Sequence, residues 1–99
     1  MPEDGKLARR VVVEGLVQGV GYRDFVRRAA LRRGVSGWVR NRADGSVEAL
    51  IAGAPADVEA LLTEMRRGPR DAMVTNLRLA EPEAGSETGS AGFGIRPTG

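Results

Sequence analysis

Residues 15–21, Gly-Leu-Val-Gln-Gly-Val-Gly, place three glycines in seven positions between two segments of different hydrophobic period. Upstream, Ala8–Glu14 reads as a strand, with the β-branched run Val11-Val12-Val13 between polar flanks. Downstream, Tyr22, Phe25, Val26, Ala29 and Ala30 recur at i, i+3, i+4, i+7 and i+8, the spacing of one helix face, while Arg27, Arg28, Arg32 and Arg33 mostly point to water. Gly34 offers a left-handed stop, and Arg32 and Arg33 complement the negative end of the helix dipole. A strand that gives way to a helix within one short glycine run limits the chain to mixed architectures of strands and helices.

The remainder supplies the partners. Val35–Arg42 is a second strand, Asp44-Gly45 a hairpin turn, and Ser46–Ala52 the return strand. Gly53-Ala54-Pro55 opens a second helix, with Pro55 near its first turn and Asp57 and Glu59 at its positive end. Val58, Leu61, Leu62 and Met65 form its buried stripe, and Gly68-Pro69 ends it. Ala72–Ala80 reads as a fourth strand whose imperfect alternation leaves room for a bulge. Glu81–Gly92, rich in Glu, Gly and Ser, is expected to be a mobile loop, Phe93–Arg96 a short closing strand, and Met1–Leu7 a loose terminus. There is no internal repeat by sequence. The order β-α-β-β-α-β is the split βαβ pattern. It predicts one α+β domain over residues 1–99, with its core at about 8–96, an antiparallel sheet and both helices on one face. The other face is left partly bare, or used for contacts.

Composition limits the chemistry. The 99 residues include no Cys and no His. Disulfides, thiolate nucleophiles and Cys-bearing zinc sites are therefore excluded, and so is the usual general base. Catalysis must rest on Arg, Lys, carboxylates, amides, hydroxyls or the backbone. The formal charge is only +2, with acidic residues spread among the arginines, which is the pattern of a solvated surface and not of a nucleic-acid-binding stripe. No apolar run reaches signal-peptide or membrane-span length, so the protein is expected in the cytoplasm, away from membranes.

Between strand and helix, the glycine run can bring successive main-chain N–H groups onto an anion, reinforced by the unpaired donors and positive pole of the helix. Arg23 falls in the first helical turn, where its planar fork can grip two phosphate oxygens. Taken alone the run also fits a tight turn beside a solvated arginine. No Gly-Lys-Ser/Thr follows, so it is not a Walker-type nucleotide loop.

The segment Gly15–Arg23 resembles the acylphosphatase signature Gly-x-Val-Gln-Gly-Val-x-Phe/Tyr-Arg at every fixed position. A second family block is similar to Gly37-Trp38-Val39-Arg40-Asn41 followed by Asp44-Gly45-Ser46-Val47-Glu48. A softer match lies at Gly68-Pro69 with Ala72 and Val74. The resemblance spans roughly residues 8 to 96. It implies a ferredoxin-like α/β sandwich that hydrolyses acyl phosphates to a carboxylate and inorganic phosphate, with no metal, no cofactor and no phosphoenzyme. Residue by residue, it implies that Gln18, Gly19, Val20, Gly21 and Tyr22 bind the phosphate with Arg23, and that Asn41 orients the attacking water. It further implies a small-molecule substrate, inhibition by inorganic phosphate or sulfate, and a monomer.

Leu16 stands where the family commonly has a basic residue, and Gly53-Ala54-Pro55 has one residue more than the family's frequent Gly-Pro. Trp38 reads as a packing or surface aromatic, and Asn76 as a strand or bulge residue without a chemical role. Two other readings share these features. A non-enzymatic phosphate-binding module, like the acylphosphatase-like domains of carbamoyl-handling maturation proteins, would keep the motif, and the lack of an attached domain favours an enzyme. An RNA-binding domain would share the element order. It normally stacks bases on aromatics of its central strands, and Ser46–Ala52 carries none.

Overall fold

A computed structural model describes residues 6–82 and 92–99. The elements are β1 (Leu7–Leu16), α1 (Tyr22–Arg33), β2 (Ser36–Asn41), β3 (Val47–Gly53), α2 (Pro55–Arg67), β4 (Met73–Ala80) and β5 (Phe93–Ile95). They form one five-stranded sheet in the order β4-β1-β3-β2-β5. The first four strands pair antiparallel, as the hairpin and crossover pattern predicts. The short β5 adds a parallel edge against β2, so the whole sheet is mixed.

Register sorts the side chains. Val11 lies opposite Ala49 and Val13 opposite Val47, while Ala49 also faces Val39 across β2. Side chains alternate along a strand, so these residues share the face covered by the helices. The helices add Tyr22, Val26, Ala29 and Ala30 from α1 and Val58, Leu61, Leu62 and Met65 from α2. Together they form one core, and the helical and strand periods read from the sequence converge on it. Gly34, at φ 70°, ends α1 in the left-handed region and turns its N–H back to the last carbonyls of the helix.

Local signals misplace a few edges. β1 does not stop at Glu14: Gly15 and Leu16 still pair with Val74 and Met73 of β4. Glu14 faces Asn76 while its successor faces Val74, so Thr75 is the extra residue of a bulge in β4. Asn76 sits beside it, exposed, donating Nδ2–H to Glu14 Oε1 at 3.2 Å. Of the segments expected to be loose or mobile, residues 1–5 and 83–91 lie outside the described residues.

On the face away from the helices, Glu48 is only 4% exposed. Arg10 Nε donates to its Oε2 at 2.7 Å and Arg40 Nε to its Oε1 at 2.8 Å, with Arg42 Nη1 at 3.4 Å from Oε1. Burial alone would raise the Glu48 pKa. The hydrogen bonds from Arg10 and Arg40, with their charges, outweigh it and hold the carboxyl below its ordinary value. Trp38 is half-buried on this face, with the guanidinium groups of Arg40 and Arg96 at 5.1 and 4.6 Å from its ring centre.

Candidate active site

The glycine loop is built by its ends. At Gly15 (φ 124°) a Cβ would lie 2.2 Å from Met73 O, so only glycine lets the strand run this close to β4 before it turns. Val17 is fully buried and pins the middle of the loop, leaving Leu16 and Gly19 outside. Gly19 and Gly21 have φ of 76° and 81°, and Gly21 caps α1 without any side-chain hydrogen bond to the helix end. The first-turn N–H groups are thus left to meet an acceptor that no described side chain supplies.

Arg23 projects from that first turn. It makes no ion pair with any described residue, although most other arginines of this region do. Asp24, its neighbour, is held by Arg27 Nη2 at 3.1 Å and Arg28 Nε at 2.9 Å, which offsets its repulsion of an incoming anion. A cleft of about 150 Å³ is lined by Val17, Gly19, Gly21, Tyr22, Arg23, Asp24 and Ile95. A roomier hollow of about 250 Å³ lies beyond the hairpin turn. Its walls include Glu14 and Asp44, the wrong sign for a phosphate, so the smaller cleft is the better suited of the two to an anion.

Tyr22 contributes structure here, not acid–base chemistry. Its ring is buried, and its hydroxyl donates to Met65 O at 2.8 Å, satisfying one of the carbonyls left open at the end of α2. That burial holds the phenol well above its ordinary pKa, hence protonated.

Asn41 is the last residue of β2 and follows Gly37 and Val39 on the helix-facing side. Its main-chain carbonyl accepts from Gly99 N–H at 3.0 Å. Its side-chain Oδ1 is buried with no hydrogen-bond partner, alone in this among the described residues. A buried acceptor without a donor is costly, which marks a position where a ligand or water completes the bonding. Asn41 is not itself a wall of the cleft. It lies two residues beyond Val39, whose partner across the parallel pairing is Ile95, a wall residue 43% exposed.

The structure therefore gathers Gly19, Gly21, Tyr22 and Arg23 around one cleft, with Val20 packed towards the core. Gln18 turns differently. Its side-chain Nε2 donates to Arg42 O at 2.9 Å and Ser46 O at 2.8 Å, so any anion contact from Gln18 falls to its main-chain N–H. Sequence reasoning passes over Val17, Asp24 and Ile95 as wall residues. Only the non-local pairing of β5 with β2 brings Ile95 there, and no local pattern encodes it. Among the described residues no group of three or more His, Cys, Asp or Glu side chains could hold a metal, and no helix is long and apolar enough to cross a membrane.

A split-βαβ sheet, two helices on one face and a glycine loop feeding a helix N-terminus beside an arginine that no described residue pairs define a small ferredoxin-like domain suited to a phosphoryl group. The acylphosphatase family model matches residues 9–95. The acylphosphatase of Rhizobium etli is 54% identical over 74 residues, 75% of this chain and 79% of its own. That of Acidiphilium cryptum is 47% identical over 95 residues, 94% of this chain and 99% of its own. The crystal structure of acylphosphatase from Bacillus subtilis superposes with a TM-score of 0.81 at 36% identity, covering 90% of this chain and 97% of that one. The chain belongs to the acylphosphatase family and is a hydrolase of that family.

Proposed function

We propose that the protein hydrolyses the carboxyl–phosphate bond of small acyl phosphates, using the cleft at the glycine loop. Main-chain N–H groups of residues 18–22 and the Arg23 fork hold the phosphoryl oxygens and offset their charge, the dominant contribution in phosphoryl transfer. Asn41 Oδ1 accepts a hydrogen bond from the attacking water and sets its direction. The water oxygen bonds to phosphorus, the bond from phosphorus to the acyl oxygen breaks, and its electron pair leaves with the carboxylate. The water proton passes to a phosphate oxygen of the substrate. The leaving carboxylate is a weak base, so no strong general base or covalent nucleophile is required, in keeping with a chain that has no His and no Cys. The acyl end leaves the cleft past Ile95.

The unpartnered Asn41 Oδ1 is the observation that carries this reading, since it is an acceptor awaiting a donor at the position the family motif assigns to the water. Purified protein with benzoyl phosphate tests it. Wild type should turn over without added metal and be inhibited competitively by inorganic phosphate or sulfate. Arg23→Ala should abolish measurable hydrolysis and weaken phosphate inhibition, and Arg23→Lys should also be poor, because one ammonium cannot reproduce a bidentate fork. Near wild-type turnover in Arg23→Lys would show that charge alone suffices and overturn the assigned geometry.

A further inference from the structure

We propose that Gln18 is a positioning residue whose side chain sets the spacing between the phosphate loop and the water-orienting Asn41, an inference that rests on the function proposed above. The hairpin after Asn41 is closed by its own backbone: Arg42 N–H donates to Ser46 O at 2.8 Å and Gly45 N–H to Arg42 O at 3.1 Å. Each of these carbonyls has a second lone pair, and the two N–H bonds of Gln18 Nε2 take both, at 2.9 and 2.8 Å. Because both partners are carbonyls, the amide nitrogen and not its oxygen must face them. One planar amide thus spans both sides of the hairpin neck, one of its anchors being the residue directly after Asn41.

The need for such a strut follows from the loop. Gly19 and Gly21 sit at positive φ, and Gly21 caps the helix without a side chain. Between Val17 and Tyr22, both buried, Gln18 is the residue whose side chain bonds the loop to the hairpin. On the other side, Gly99 N–H donates to Asn41 O at 3.0 Å and Ala43 N–H to Gly99 O at 3.3 Å. Asn41 is therefore held laterally by residue 99, while its distance from the bound phosphate is set through Gln18. In-line attack tolerates little error in that distance, since a displacement of about 1 Å can cost about 10²-fold in rate.

Glutamate separates this role from a merely structural one. Its carboxylate has the same length but no donor, and it would face two carbonyl oxygens. When protonated it regains one O–H and can rejoin one carbonyl. The surrounding acceptors disfavour the charged form and raise the pH at which this occurs.

The experiment measures kcat, KM and phosphate inhibition for wild type, Gln18→Ala and Gln18→Glu with benzoyl phosphate across pH. Gln18→Ala should lower kcat by about 10-fold or more, with KM and the phosphate inhibition constant within about 3-fold of wild type. Gln18→Glu should be worse than Gln18→Ala near neutral pH, and its activity relative to wild type should rise as pH falls. Parallel loss of kcat and phosphate inhibition would make the side chain a phosphate ligand and overturn the proposal. So would unchanged kcat in Gln18→Ala, or a flat ratio to wild type across pH in Gln18→Glu. If wild type itself fails to hydrolyse benzoyl phosphate, the functional reading fails on its own. The coupling is then read by NMR: the Asn41 side-chain amide signal should shift in Gln18→Ala, and an unshifted signal would refute it.

Discussion

Asn41→Ala tests whether a residue can cost stability while serving catalysis. In the folded protein Oδ1 is buried and meets no donor from the described residues, which costs about 1–3 kcal/mol when no ligand or water completes its bonding. Alanine relieves that penalty and forfeits the van der Waals contacts of a half-buried amide, about 1 kcal/mol in the other direction. The balance runs from no change to a gain of about 2 kcal/mol, and for a domain of this size 1 kcal/mol corresponds to about 4–8 °C in Tm. Turnover should move oppositely, with kcat falling about 10²-fold, the scale of losing one positioned transition-state contact. Phosphate inhibition should stay within about 3-fold, because the loop and Arg23 are untouched. Thermal unfolding followed by circular dichroism, beside steady-state kinetics, reads both sides. A fall in Tm of about 4 °C or more accompanying the loss of activity would mean that Asn41 holds the hairpin, and the reasoning from its unpaired oxygen would be refuted. Asn41→Asp should be no better than alanine, since it sets a negative charge near the substrate anion. Wild-type activity in Asn41→Asp with a new acidic pKa in the rate profile would establish general-base catalysis instead.

Tyr22→Phe should lower stability by about 1–2 kcal/mol, because Met65 O loses the hydroxyl that satisfies it at the end of α2. Its kcat at 25 °C should stay within about 2-fold of wild type, since the family motif accepts either aromatic; an unchanged Tm in urea or heat would show that water replaces the hydroxyl. Glu48 has a folded-state pKa below its ordinary 4.5, so its contribution is complete above that value and is lost as pH falls through the folded pKa. The Tm gap between wild type and Glu48→Gln should therefore narrow below about pH 4.5, and a gap that stays constant into stronger acid would contradict the arginine cluster as its cause.

Much of the candidate site could be read from the sequence because its parts are local. The glycines that need positive φ, the helix start that aims N–H groups and the arginine of its first turn all lie within nine residues, and the strand carrying Asn41 is followed at once by its Asp44-Gly45 turn. What escaped is what distance in the chain conceals. Gly15 and Leu16 look like the start of a loop, but Val74 and Met73 keep them in the sheet. The bulge showed only as blurred alternation in β4, and pairing with Glu14 and Gly15 was needed to assign it to Thr75. Gln18 sits inside a phosphate-binding motif, yet its side chain serves the hairpin, and no spacing rule distinguishes the two uses. Likewise nothing in the spacing of Arg10, Arg40 and Arg42 along the chain hints that the buried Glu48 gathers all three around itself.

The position of β1 in the sheet also bears on how the chain emerges during synthesis. Residues 7–53 already contain Arg23, Asn41 and the three neighbouring strands β1, β3 and β2. The second edge of β1, however, waits for β4 at residues 73–80. Until then the Val11–Val13 run presents unpaired N–H and C=O groups on an apolar strand, the surface from which edge-to-edge association starts. A fragment ending before Met73 would hold both proposed reactive side chains and still be unable to work alone, because β1 would be an open edge seeking another chain.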